Sequence, residues 1–256
     1  MHGRDDPRTV AELFNAALQG DYEDEDAWDA IRILRRKATP EVLELALKQC
    51  DSPDPKARAR GLDVLGQLGA GKPDSERTYV DKCVSIAIAG LKDEDAAVVH
   101  SASWALAHLK TGVGIAALIR IKRHPDPNVR HAVAYGLGGC PADEAQQTLI
   151  ELMEDPDDEV RNWAAFALGC LSDADSAEIR QALRKRLDDP FGEARDEGIW
   201  GLARRRDAVA LSIILERLES DSWAQGDEDT ARDALRLEQD SPVDELRQGL
   251  RKLLDR

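Results

Sequence analysis

Five stretches of the chain repeat one another. They are "DSPDPKARARGLDVLGQLG" from Asp51, "LKDEDAAVVHSASWALAHLK" from Leu91, "RHPDPNVRHAVAYGLGGC" from Arg123, "DPDDEVRNWAAFALGCL" from Asp155 and "DDPFGEARDEGIWGLARR" from Asp188. Aligned on Arg58, Val99, Arg130, Arg161 and Arg195, they are spaced 41, 31, 31 and 34 residues apart. Seven positions on, every copy has leucine: Leu65, Leu106, Leu137, Leu168 and Leu202. The next position is small each time: Gly66, Ala107, Gly138, Gly169 and Ala203. A period of this length without strand-like alternation specifies stacked helix pairs. No single pair can bury its apolar face alone, so the neighbours must complete the core.

Between the copies runs a second helical pattern, such as "PADEAQQTLIELMED" (141–155) and "SAEIRQALRKRLDD" (176–189). Each unit is therefore a helix A, a turn and a helix B, the B helix carrying the aligned position, hereafter position 0. The Asp-Pro pairs Asp126-Pro127, Asp155-Pro156 and Asp189-Pro190 are expected to cap and start B helices. Glycine inside a helix costs roughly 1 kcal/mol relative to alanine. Its recurrence at position +8 predicts close approach of neighbouring B helices there. Residues 40–50 read as helix A of the first clear repeat, and 241–256 as a closing amphipathic helix. The chain is expected to be a single repeat array over 1–256: a degenerate N-terminal pair (1–38), clear repeats (39–204), and a degenerate last pair with a capping helix (205–256). Polar, atypical end units stop such an array from stacking further. The acidic runs "DYEDEDAWD" and "ESDSWAQGDED" fall in these end units and read as solvated turns, or as docking sites for a basic protein.

Bulk properties narrow the class. The 256 residues are 42% hydrophobic and 33% charged, which describes a folded chain rather than a disordered one. The net charge of −15 disfavours nucleic acid and anionic membranes as partners and favours basic ones, or simply keeps the chain soluble. Cys50, Cys83, Cys140 and Cys170 are widely separated, with no C-x-x-C pair, so neither a zinc site nor a disulfide framework is expected. The start lacks the basic-then-apolar order of a signal peptide, and "VSIAIAGL" is too short to span a bilayer. A cytoplasmic protein, monomeric when free, is expected.

The pattern D-x-x-x-x-V-R-x-x-A-A-x-A-L-G, nearly reproduced by "DPDDEVRNWAAFALG", resembles the HEAT-like repeats of the phycobilin-lyase type. The resemblance covers about residues 40–237. It implies an all-α fold: a right-handed α-solenoid of about seven helix pairs, an armadillo-like superhelix. It further implies a ladder in which an acidic residue six before the arginine links neighbouring repeats. Asp93, Asp155 and Asp189 fit that position; Ser52, His124 and Val99 depart from the pattern, so the ladder should be incomplete. The run "DEVRNWAAFAL … IRQALRKRLDD … EARDEGIWGLARRRDAVALSIILERL" also resembles HEAT-repeat proteins encoded beside Rhs-type polymorphic toxins of bacteria. In such pairs the repeat protein is the immunity partner that binds and blocks the toxin domain.

With 100° per residue, positions −1, +3, +4 and +7 form the core stripe, and +1, +2, +5 and +9 the opposite side. In the HEAT-like family that opposite side is concave and contacts partners. Position +5 reads Asp63, Trp104, Tyr135, Phe166 and Trp200; position +1 reads Ala59, His100, His131, Asn162 and Asp196. Position +2 reads Arg60, Ser101, Ala132, Trp163 and Glu197, and position +9 ends in Arg204. With helices about 10 Å apart, four aromatics would make a stripe about 30 Å long. Either it binds a partner or it folds down between B helices as core. The candidate partner-binding residues are Trp104, Tyr135, Phe166, Trp200, Trp163, His100, His131, Asn162, Asp196, Glu197 and Arg204.

Enzymatic chemistry finds no foothold in the sequence. None of the five histidines is followed by Glu, unlike the repeated His-Glu ligands of di-iron hydroxylases of this fold. "LGQLGAGKP" (65–73) lacks the Ser or Thr and the preceding strand of a phosphate loop. No catalytic residue, metal or cofactor is expected. The expected function is a non-enzymatic protein-binding solenoid, an immunity protein for a toxin effector domain. A general scaffold or adaptor is the alternative, and a bilin-lyase-like chromophore chaperone a further one.

Overall fold

The computed structural model describes residues 6–21, 24–69, 79–220 and 224–255. Among them are fifteen α-helices and no strand. The chain forms two compact units, residues 1–136 and 137–256. The first unit holds α1 (Val10–Ala17), α2 (Glu25–Lys37), α3 (Pro40–Cys50), α4 (Pro55–Gly66), α5 (Val80–Gly90), α6 (Ala96–Leu109), α7 (Gly112–Arg120) and nearly all of α8 (Pro127–Leu137). The second holds α9 (Asp143–Leu152), α10 (Asp158–Gly169), α11 (Ala177–Arg186), α12 (Gly192–Arg204), α13 (Ala208–Glu219), α14 (Gln225–Leu235) and α15 (Val243–Leu254). The fold is an α-solenoid of helix pairs. Within the first unit the B helices α2, α4 and α6 pack side by side, as do α10, α12 and α14 within the second.

The leucine column is fully buried at all five repeats, each at 0% exposure. The glycine column does what its cost implied. A Cβ on Gly66 would lie 2.6 Å from the Ala105 Cα, and one on Gly169 would lie 3.1 Å from the Gly201 Cα. These B helices touch backbone to backbone.

The turn between helices A and B follows one hydrogen-bond scheme. At position −4, Asp54, Asp95, Asp126 and Asp157 each accept a backbone N–H from the first turn of the following B helix. At position −6, the side chains of Ser52, Asp93, His124, Asp155 and Asp189 each accept the N–H two residues on, at 3.0–3.2 Å. The arginine at position 0 then donates Nη1 to the carbonyl of position −6, from Arg58, Arg130, Arg161 and Arg195. The Asp-Pro expectation needs correcting. Asp126 does cap α8, but Asp155-Pro156 and Asp189-Pro190 precede their helices, which start at Asp158 and Gly192. Those pairs sit two residues further from position 0, so their aspartates organise the turn instead.

Each unit holds a rung of the ladder in the form of a bidentate pair. The Arg58 fork meets Asp93 at 2.8 and 2.8 Å, and the Arg161 fork meets Asp189 at 3.0 and 2.9 Å.

Candidate protein-binding face

In the first unit the aromatic positions converge on one ring. The Trp104 indole in α6 lies 6.3 Å from the His100 ring, 5.8 Å from His108, 5.2 Å from His131 and 5.2 Å from Tyr135. His108 and Tyr135 also meet edge to face at 5.3 Å. Helix α6 ends at Lys110 in the left-handed conformation (φ 47°), and the Lys110 ammonium sits 5.6 Å over the Tyr135 ring. Positions +1, +5 and +9 of one B helix and +1 and +5 of the next supply these five rings. All five rings are half-buried. Burial lowers the pKa of His100, opposed by the charges of Asp63 and Asp126.

A cleft of about 200 Å³ opens beside Trp104, lined by α2, α4 and α6: Trp28, Arg35, Asp63, Ser101, Trp104 and His108 stand on its polar and aromatic sides. The sequence placed Trp104 here but missed Trp28, whose helix belongs to the degenerate first pair and has no register with the clear repeats. In the first repeats the face is more covered than expected. Ala59, Arg60, Asp63, Ser101 and Ala132 are buried. The cause for Arg60 and Asp63 is the preceding pair: Arg60 donates to the Asp21 carbonyl, Arg35 donates to the Asp63 carbonyl, and both guanidinium groups lie over the Trp28 ring.

The second unit carries its own group. Trp163 and Phe166, half-buried on α10, meet edge to face at 5.6 Å. Asn162 Nδ2 donates to Glu159 at 3.5 Å. Asp196 pairs with Arg217 at 2.7 Å, and the exposed Arg204 donates to the Cys170 carbonyl. Trp200 is tied to the stack: its Nε1–H donates to Asp227, and its ring lies against Gly226 of α14, where a Cβ would meet it at 2.3 Å. Asp227 corrects the reading of "ESDSWAQGDED" as a solvated turn. It is fully buried, held by Arg217 and Trp200. Residues 221–223 of that run, residues 22–23 of the other, and 70–73 of "LGQLGAGKP" lie outside the described residues.

Glu197 is half-buried, and burial pushes its pKa up to about 7, although Cys170 Sγ donates to it at 3.3 Å. The folded carboxyl thus holds its proton more tightly than the unfolded one. Its contribution to stability is complete below about pH 4.5 and is lost as pH rises through about 7. Glu197→Gln, which keeps the acceptor for Cys170, is expected to stabilise the protein by about 1–2 kcal/mol at pH 8.5 and to change little at pH 4. Urea unfolding at the two pH values checks it.

No group of three or more His, Cys, Asp or Glu among the described residues is arranged to hold a metal ion, and no described helix is long and apolar enough to cross a membrane.

A family model for HEAT repeats matches residues 115–179 and 147–236. Residues 115–236 are thus similar to HEAT repeats. The chain's likeness to solved structures extends over the rest of the sequence. The chain superimposes on Escherichia coli YibA with a TM-score of 0.74 at 23% identity, over 97% of this chain and 93% of that one. An archaeal HEAT-like repeats protein from Thermococcus onnurineus matches at 0.55 and 15%, over 97% and 99% of the two chains. A designed armadillo repeat protein in complex with the peptide (KR)4 matches at 0.53 and 15%, over 76% and 98%. At these identities the likeness is one of fold. No curated protein matches the chain in sequence.

Proposed function

We propose that the chain is a non-catalytic binding protein that captures a protein partner on its B-helix face, and that the partner is a toxin effector domain which it neutralises. The observation that carries the capture reading is Trp104. Its indole stands among four other rings, is half-buried, and its N–H makes no hydrogen bond within the described residues. A large aromatic left with an unused donor beside a cleft is the usual form of an interface anchor. Solenoids of this fold commonly present such surfaces, and the designed relative holding a (KR)4 peptide is one. The net charge of −15 favours a basic partner. The toxin assignment rests on the repeat text around residues 158–218, which resembles Rhs-associated immunity proteins.

The test is co-expression with any toxin effector domain found encoded beside this gene. The expected result is rescue of toxin-arrested growth. Trp104→Ala should weaken the purified complex by about 2 kcal/mol, roughly 30-fold in Kd, with unchanged helix content by circular dichroism. Absence of rescue with any neighbouring effector would leave the adaptor reading in place of the immunity one. Loss of helix content in Trp104→Ala would show the indole to be core.

A further inference from the structure

The cleft beside Trp104 has a polar floor that the fold leaves unfinished. Asp63 is 5% exposed, and within the described residues its carboxylate accepts one hydrogen bond, from Arg60 Nη1 to Oδ2 at 3.3 Å. An ionised carboxylate offers about four acceptor sites, so Oδ1 remains available. Ser101, 1% exposed on the neighbouring helix α6, lines the same cleft, and its Oγ has no hydrogen-bond partner. It stands close enough to Asp63 to favour the carboxylate's charge without completing a bond of normal geometry. Burial raises the Asp63 pKa against the opposing pull of Ser101, Arg60 and Arg35, so an added donor would relieve a real cost. Arg35 and Arg60 direct donors at the Asp63 carbonyl, Gln67, Asp63 Oδ2 and the Asp21 carbonyl, and lie over Trp28.

We propose that this cleft receives one lysine or arginine side chain of the protein partner, its charged head on Asp63 Oδ1 and Ser101 Oγ and its stem along the indoles of Trp28 and Trp104. The assignment rests on the capture reading above. A basic side chain brings the N–H donors that Asp63 and Ser101 lack, and its aliphatic stem and cationic head both suit indole faces. About 200 Å³ accommodates one such side chain and little more. The acidic surplus of the whole chain draws such a partner toward the face.

The peptides Ac-Gly-Arg-Gly-NH2, Ac-Gly-Lys-Gly-NH2 and Ac-Gly-Glu-Gly-NH2 test this on the full chain. The readout is the indole N–H NMR signal of Trp104, assigned with Trp104→Phe. The expected result is a saturable shift with at least one basic peptide and none with the glutamate peptide. Asp63→Asn should weaken the basic peptide at least tenfold, and Ser101→Ala several-fold. Ser101→Ala supplies the answer if Asp63→Asn, which leaves Arg60 short of a partner, unfolds. A shift with the glutamate peptide, no shift with either basic peptide, or equal shifts in the variants would overturn the proposal. In the complex with the effector, weakening by Trp104→Ala and not by Asp63→Asn overturns the cleft assignment while the capture face stands. Weakening by neither overturns both.

Discussion

Arg205→Met is expected to lower the stability of the protein by about 3–5 kcal/mol, read as a shift of the urea midpoint. Arg205 follows α12, and its guanidinium donates to five backbone carbonyls. Nη1 reaches Gly169 and Gly201 at 2.8 Å; Nη2 reaches Leu168 and Ser172 at 2.9 Å and Ala174 at 2.7 Å; Nε reaches Ala174 at 3.0 Å. The last carbonyls of a helix have no partner within it, and those of α10 face this cation. The same group fastens the α10–α11 turn to the end of α12. Burial lowers the Arg205 pKa, yet a guanidinium stays charged at any working pH. Methionine keeps much of the stem and removes every donor. Arg205→Lys should recover less than half of the loss, because one ammonium cannot serve carbonyls in so many directions. A shift under 1 kcal/mol for Arg205→Met would mean water satisfies those carbonyls equally well.

Arg161→Met should cost about 3 kcal/mol, for a different reason. Arg161 and Asp189 are 9% and 4% exposed, and the bidentate pair joins α10 to the turn before α12. Burial alone would raise the Asp189 pKa, but its hydrogen bonds with Arg161 and Phe191 hold it below the usual carboxylate value. Removing the arginine leaves a buried carboxylate with Arg186 as its remaining cation, at 2.8 Å. The double variant Arg161→Met/Asp189→Leu should therefore be less destabilised than the single one, since the buried charge goes with its partner. Equal or additive losses in a double-mutant cycle would show that the rung contributes nothing beyond its separate members.

The helix pairs were legible because their signals are local and periodic. The leucine column, the glycine approach and the span 40–50 for α3 follow from 3.6-residue spacing and from side-chain size. The aromatic group on Trp104 was legible for the same reason. What escaped the sequence depends on distant chain segments. Asp63 and Arg60 occupy face positions, yet α2 and Asp21 cover them. Asp227 sits in an acidic run, yet three partners distant in sequence or across a turn bury it. Arg205 is one of three consecutive arginines, and nothing in "ARRRD" marks it as the one that holds the last carbonyls of α10.

The five turns before the B helices carry a broader lesson about drift. Serine, histidine and aspartate alternate at position −6 and all accept the same amide. What the turn requires there is a lone pair in the right place rather than one residue type. A motif search that scores only aspartate would therefore undercount the units of such an array, and a designer could vary their chemistry while leaving the bend intact.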